Sequence, residues 1–157
     1  MIEHLLLMVA TGFGLGWLPG APGTFGSILG LPLAWWLLRY SPARQITAIA
    51  FLLVMAVPLC HWASLSLGGG DVPSIIADEY LAFPITMIGL AMRPRLWMLG
   101  VAFLLFRLFD VTKLPPINYI EAIGGGLGIV LDDVMAAFYA WIVLAVGITL
   151  GRSYHRR

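Results

Sequence analysis

In the run LLFRLFDVTKLPP, Arg107, Asp110 and Lys113 recur every third residue at the end of a segment that otherwise reads as hydrocarbon. Two further groups are pairs of adjacent acids, Asp78-Glu79 and Asp132-Asp133, each set beside an apolar stretch. Together the three groups take five of the chain's eight acidic residues. Neighbouring carboxylates raise each other's pKa unless a cation or a base compensates. Hard divalent ions, Mg²⁺ above all, bind such oxygens and keep waters available for chemistry. Acids at helix starts can also simply complement the helix dipole. That accounts well for one acid per helix and poorly for two adjacent acids at each of two helices. Ionisable groups at membrane depth are expensive and are usually functional, so the acids read as a metal site.

Steps of three advance about 300° around a helix, so Arg107, Asp110 and Lys113 form a drifting stripe. A basic pair beside a metal-binding carboxylate suits a phosphate: Arg offers a planar fork and Lys a point charge. Snorkelling to the interface would explain Lys113, but not Asp110, nor Arg107 inside LLFRLF. Upstream, PGAPGTFGS sets Gly23, Thr24, Gly26 and Ser27 just before an apolar helix. Free backbone N–H groups there could cradle an anion, although helix capping by Thr24 or Ser27 is the commoner cause of such a sequence. GGGLG at 124–128 admits the same two readings. GFGLG at 12–16 lacks the strand–helix surroundings of a dinucleotide site and reads as glycines packing a membrane helix. Cys60 is the only cysteine, which excludes an internal disulfide and argues against a multi-cysteine metal site. His4, His61 and His155 have no metal-ligand spacing and read as structural or surface groups.

The elements that must position these groups are apolar. Of 157 residues, 61% are hydrophobic and 11% charged, with mean hydropathy +0.94. A soluble domain carries about 25% charged residues, so the composition points to an integral membrane protein, all-α, forming one domain over residues 1–157. A net charge of +1 gives no call for nucleic acid. Five apolar stretches can be drawn, at about 25–39, 45–66, 74–92, 96–111 and 129–151. Only the second and fifth reach the roughly 20 residues of a full span, so the expectation is a polytopic bundle of four or five spanning or partly spanning helices. The start, MIEHLLLMVATGFG, has no basic leader and reads as a short helix at or near the membrane surface. Up-and-down threading of the five stretches would place Thr24 and Ser27, the two acid pairs, and the Arg107–Lys113 group on one membrane face. The opposite face would carry Arg39, Arg44, Arg93, Arg95, Arg152, Arg156 and Arg157. That excess of basic residues would put the motif-free face in the cytoplasm.

The motifs PGAPGTFGS, ADEYLAF, FRLFDVTKLPPI and GGGLGIVLDDVMA resemble, in order and spacing, those of the phosphatidylglycerophosphatase A family, over about residues 10–145. The resemblance implies a magnesium-dependent phosphatase of the bacterial inner membrane, multi-pass, with the lipid bilayer as its setting. Its substrate would be a phospholipid phosphate, phosphatidylglycerophosphate, and its products phosphatidylglycerol and phosphate. An active site on the cytoplasmic leaflet, where that substrate is made, runs against the arginine tally. On this reading Asp78, Glu79, Asp132 and Asp133 hold one or two Mg²⁺, and Arg107 and Lys113 clamp the phosphate. Thr24 and Ser27 add hydrogen bonds to the substrate. Asp110 either joins the metal shell or acts as a base, and an aspartyl-phosphate on one of the acids stays open. Departures from the family pattern fall at Leu114, Ala82, Gly124 and the Ala136-Ala137 pair, positions of packing rather than charge. Two other readings remain: a phosphatase for a different lipid phosphate, and a transporter with intramembrane acids, although no internal repeat is visible.

Overall fold

Proline opens two of the principal helices. Pro22 and Pro42 stand at the first positions of α2 (Pro22–Leu37) and α3 (Pro42–Ser66), where the missing N–H has no intrahelical partner to lose. Before them lie α1 (Ile2–Ala10) and a 3₁₀ turn at Leu15–Trp17. After them come α4 (Ala77–Ala82), a 3₁₀ turn at Phe83–Met87, α5 (Leu96–Thr112), α6 (Ile117–Glu121) and α7 (Gly125–Tyr154). The computed structural model describes residues 2–90 and 96–154, and among these there is no strand. Arg93, Arg95, Arg156 and Arg157, and the side chain of Arg152, lie outside the described residues, and with them most of the arginine tally.

Among the described residues two helices are long and apolar enough to cross a membrane: α3, with 25 residues, and Gly125–Gly151 of α7, with 27. Only 22% of the apolar window of each is buried inside the molecule, so most of that apolar surface faces outward, unlike a soluble core helix. The 16 residues of α2 and 17 of α5 give lengths of about 24 and 26 Å, short of a hydrocarbon core of about 30 Å.

The stretch at 74–92 is not one continuous helix. Six residues of α4 pass into the 3₁₀ turn. Pro84 cannot donate the next helical hydrogen bond, although Phe83 before it keeps helical backbone angles. The broken segment is sheltered: Ile75, Ile76, Ala77, Ala82, Phe83 and Met87 are all buried. Irregular backbone survives in an apolar setting when protein covers it.

α7 is the shared wall of two cores. On one side Ala136, Ala137 and Ala140 meet Phe83, Met87, Ala102 and Phe106, with the Phe83 and Phe106 rings edge to face at 5.7 Å. On the other, Ile129 and Val130 meet Ala56, Cys60, Ala63 and Ala77. Small residues let helices approach closely where lipid supplies no hydrophobic drive. Ala82, Ala136 and Ala137 are all 0% exposed, so those family departures are changes of core packing. Where α7 begins, a Cβ on Gly126 would collide with the Val57 carbonyl and with His61 of α3. His61 has a packing role there, its Nδ1 accepting the Gly126 N–H at 3.4 Å.

Candidate active site

A cavity of about 400 Å³ opens where the start of α2, α4, the end of α5 and α7 meet. Asp78, Glu79, Arg107, Asp110, Lys113, Asp132 and Asp133 all line it. Each adjacent acid pair is set in the same local way. Asp78 Oδ1 accepts the Glu79 N–H at 3.0 Å, and Asp132 Oδ1 accepts the Asp133 N–H at 2.9 Å. The first acid of each pair thus fixes its own rotamer on the helix. Asp78, Asp132 and Asp133 are buried.

The bases tie the helices together across the cavity. Arg107 Nη1 hydrogen-bonds Asp110 one turn on and reaches Glu79 of α4 at 3.6 Å. Lys113 turns to α7, with Nζ 3.2 Å from Asp132 Oδ2. Its backbone makes this reach possible. Lys113 is the first residue beyond α5, its N–H donates to the Phe109 carbonyl at 3.0 Å, and its φ is 44°. This left-handed conformation usually ends a helix on glycine. A lysine held there costs of order 1 kcal/mol, a strain that tends to collect at functional positions.

The glycine segment serves the site differently from the expectation. α2 starts at Pro22 with Ala21 as its cap residue, and no side chain caps it. Ser27 is fully buried, and its hydroxyl donates to the Gly23 carbonyl at 2.9 Å. Neither Thr24 nor Ser27 is on the cavity wall, which takes Gly20, Ala21, Pro22 and Gly23 from this segment. The glycines make room for an acid. A Cβ on Gly23 would run into Glu79 Oε1 and one on Gly26 into Glu79 Oε2. Glu79 Oε2 is buried there without a hydrogen-bond partner.

Burial pushes the Glu79 carboxyl up to about 8; the Asp110 charge adds to the rise and Arg107 opposes it. Asp78 is also held well above the ordinary carboxylate range, by burial first and the Glu79 charge second. Acids that resist ionisation are acids short of positive charge. The donors are all hard carboxylate oxygens, and Glu79 Oε2 is an orphaned one, which is the chemistry a Mg²⁺ site needs. Among the described residues no three acids, histidines or cysteines converge tightly enough to hold an ion by themselves. That still suits Mg²⁺, which is commonly held by one or two carboxylates with waters and substrate phosphate completing its shell.

Asp71 also lines the cavity, and sequence reasoning missed it. LGGGDVPS reads as a loop, and its one acid stands alone. The available signal was an acid directly after three glycines and seven residues before Asp78.

A largely outward-facing apolar chain with bases and carboxylates about one cavity is built to handle a lipid phosphate. By class the chain is a lipid phosphomonoesterase. The family model for phosphatidylglycerophosphatase A matches residues 8–148, and the chain belongs to that family. It is 33% identical to phosphatidylglycerophosphatase A of Escherichia coli over 154 residues, covering 97% of this chain and 84% of the relative. With phosphatidylglycerophosphatase A of Haemophilus influenzae it shares 40% identity over 145 residues, 90% of this chain and 85% of the relative. A Bacteroides thetaiotaomicron protein, provisionally named a phosphatidylinositol-3-phosphatase, is 33% identical over 152 residues, 92% of this chain and 94% of its own length. No solved structure matches the chain.

Proposed function

We propose that this enzyme hydrolyses the terminal phosphomonoester of phosphatidylglycerophosphate to phosphatidylglycerol and phosphate, with Mg²⁺ as cofactor. Its place would be the bacterial inner membrane, with α2 and α5 as partial spans beside α3 and α7, four or five passes in all. The observation that carries this reading is the meeting of Arg107 and Lys113 with the acids of α4 and α7 on one cavity. Phosphoryl transfer is chiefly positioning and charge neutralisation. Asp78, Glu79, Asp132 and Asp133 would hold Mg²⁺, which supplies positive charge to the phosphoryl oxygens.

The chain's own groups bind and orient. The Arg107 fork takes two phosphoryl oxygens, exchanging part of its contact with Glu79 and Asp110 for the substrate. Lys113 swings its point charge from Asp132 to a third oxygen. Gly20 and Gly23 bring bare backbone to the cavity wall on either side of the small Ala21 and Pro22, so a headgroup meets little side-chain bulk there. The water oxygen bonds to phosphorus as the ester P–O bond breaks, and the lipid alkoxide takes up a proton. Asp110 is placed to receive the water's proton or to share the cation.

Phosphate release by the detergent-solubilised chain from a panel of lipid phosphates tests the reading. Phosphatidylglycerophosphate should be the best substrate, with activity lost in EDTA and restored by Mg²⁺. Full activity in chelator would end the metal assignment. The named activity of the Bacteroides relative favours one second reading, a phosphoinositide substrate. A preference for phosphatidylinositol-3-phosphate in the same panel would establish it instead.

A further inference from the structure

The two sides of α5 meet different surroundings. Met98, Leu99, Ala102 and Phe106 are buried in the core that α7 shares. Trp97, Val101, Leu104, Leu108 and Val111, alternately four and three residues apart, are all exposed. At about 100° per residue these positions keep within about 80° of arc, and Arg107 stands about 80° from its middle. One strip of the helix is therefore apolar from end to end, with Arg107 on its flank.

The strip ends on the cavity. Val111 lines the wall, and at 69% exposure it is the one large exposed apolar side chain among the described residues that do so. Ile75, also on the wall, is buried. The other outward apolar faces stop short of it. Among the described residues α3 gives the wall nothing, and α7 gives it only Asp132 and Asp133, both buried. The exposed Ile28 and Trp36 of α2 do not line it either.

A lipid phosphate has to bring its headgroup to the cavity while its acyl chains stay in hydrocarbon, because every methylene drawn into water adds to the cost. From Val111 back to Trp97 the strip is about 21 Å long. That exceeds the half of a roughly 30 Å hydrocarbon core that one leaflet's chains fill. An acyl chain gains little by leaving lipid for leucine, since the two are equally apolar. What the strip supplies is a path without a polar barrier, so its effect belongs to capture of long-chain substrate rather than to fold stability.

We infer that the substrate reaches the cavity sideways from the bilayer, with an acyl chain lying along Leu104, Leu108 and Val111 of α5. The inference rests on the lipid-phosphate reading of the site, and on neither the headgroup nor the cation.

Two forms of phosphatidylglycerophosphate test it on the full-length, detergent-solubilised chain: dipalmitoyl, which is held in micelles, and dihexanoyl, which dissolves in water. Leu108→Trp, which puts bulk on the strip at an exposed position, should lower the ratio of long-chain to short-chain kcat/KM by about tenfold. Val143→Trp, on the outward face of α7, should leave that ratio at its wild-type value. An unchanged ratio in Leu108→Trp would overturn the inference, as would an equal fall in Val143→Trp. Release of phosphate from neither form by the wild type would remove the proposed substrate, and the strip would then be judged by labelling alone.

Labelling depends neither on turnover nor on a variant that folds. A non-hydrolysable phosphonate analogue of a long-chain lipid phosphate, with a diazirine on one acyl chain, is photolysed with the wild type. Phosphatidylcholine carrying the same chain is the control. The phosphonate should label 101–111 several-fold more than the outward faces of α3 and α7, and phosphatidylcholine should label all three alike. Equal labelling by the two probes would mean that the strip only faces bulk lipid. No label on α5 from either would mean that a second copy of the chain covers it. Either result overturns the inference.

Discussion

Arg107 is held at the cavity by Asp110 on its own helix and by Glu79 on α4, and a lysine could keep the charge but not the fork. Arg107→Lys should therefore lower phosphate release by at least about tenfold, with the melting temperature nearly unchanged. Wild-type activity in that variant would remove the bidentate role. Glu79 makes a second prediction, in pH. Its carboxyl sits at about 8 against an ordinary 4.5, so the folded chain keeps a proton that the unfolded chain releases. Below the lower value both states are protonated and nothing is lost. As pH rises through the window stability falls, and above about 8 the full penalty applies. In EDTA the melting temperature should be lower at pH 8.5 than at pH 5.5, and Mg²⁺ should recover more of it at the higher pH. A flat profile in EDTA would mean that Glu79 ionises as an ordinary carboxylate.

Between α2 and α4 the contact is glycine against carboxylate. Gly26→Ala would drive a methyl group into Glu79 and Ile76, and overpacking of this kind costs about 1–3 kcal/mol. The expected result is a lower melting temperature together with a loss of activity greater than the lost folded fraction explains. If activity falls only in step with folding, the α2 contact does not set Glu79. This contact also marks the limit of what could be read from the chain itself. Chain breaks at Pro42, Gly68–Gly70 and the Pro115-Pro116 pair were visible because proline and glycine act locally. The acid pairs and the Arg107–Lys113 stripe were visible because charge is rare in this composition. What Gly23 and Gly26 make room for was not, since the partner lies more than fifty residues away. The stretch at 74–92 reads as one apolar run although Pro84 stands inside it, because apolar composition alone does not separate a lipid-facing span from a segment buried in protein. Asp71 was missed because its neighbours became acidic only by folding.

Across the whole molecule, six of the eight acids and two of the nine bases line one cavity while α3 and α7 turn apolar surface outward. Labelling of single cysteines in a Cys60→Ala background tests whether they share a membrane face. Ser66, Asn118 and Ser153 are exposed and suited to probes, whereas Ser74 near the site is buried. Ser66→Cys and Asn118→Cys should react with an impermeant reagent from one side, and Ser153→Cys from the other. Reaction of the first two from opposite sides would separate the ends of α3 and α5 and dismantle the shared cavity. The position of α7 has a consequence for how the enzyme is made. It supplies Asp132 and Asp133, walls both cores, and follows every other described helix. Until α7 is made, α4 and its broken continuation lack the helix that covers them. A chain cut before Gly125 would lack Asp132 and Asp133 and the shared wall of both cores, so such a fragment should release no phosphate from lipid.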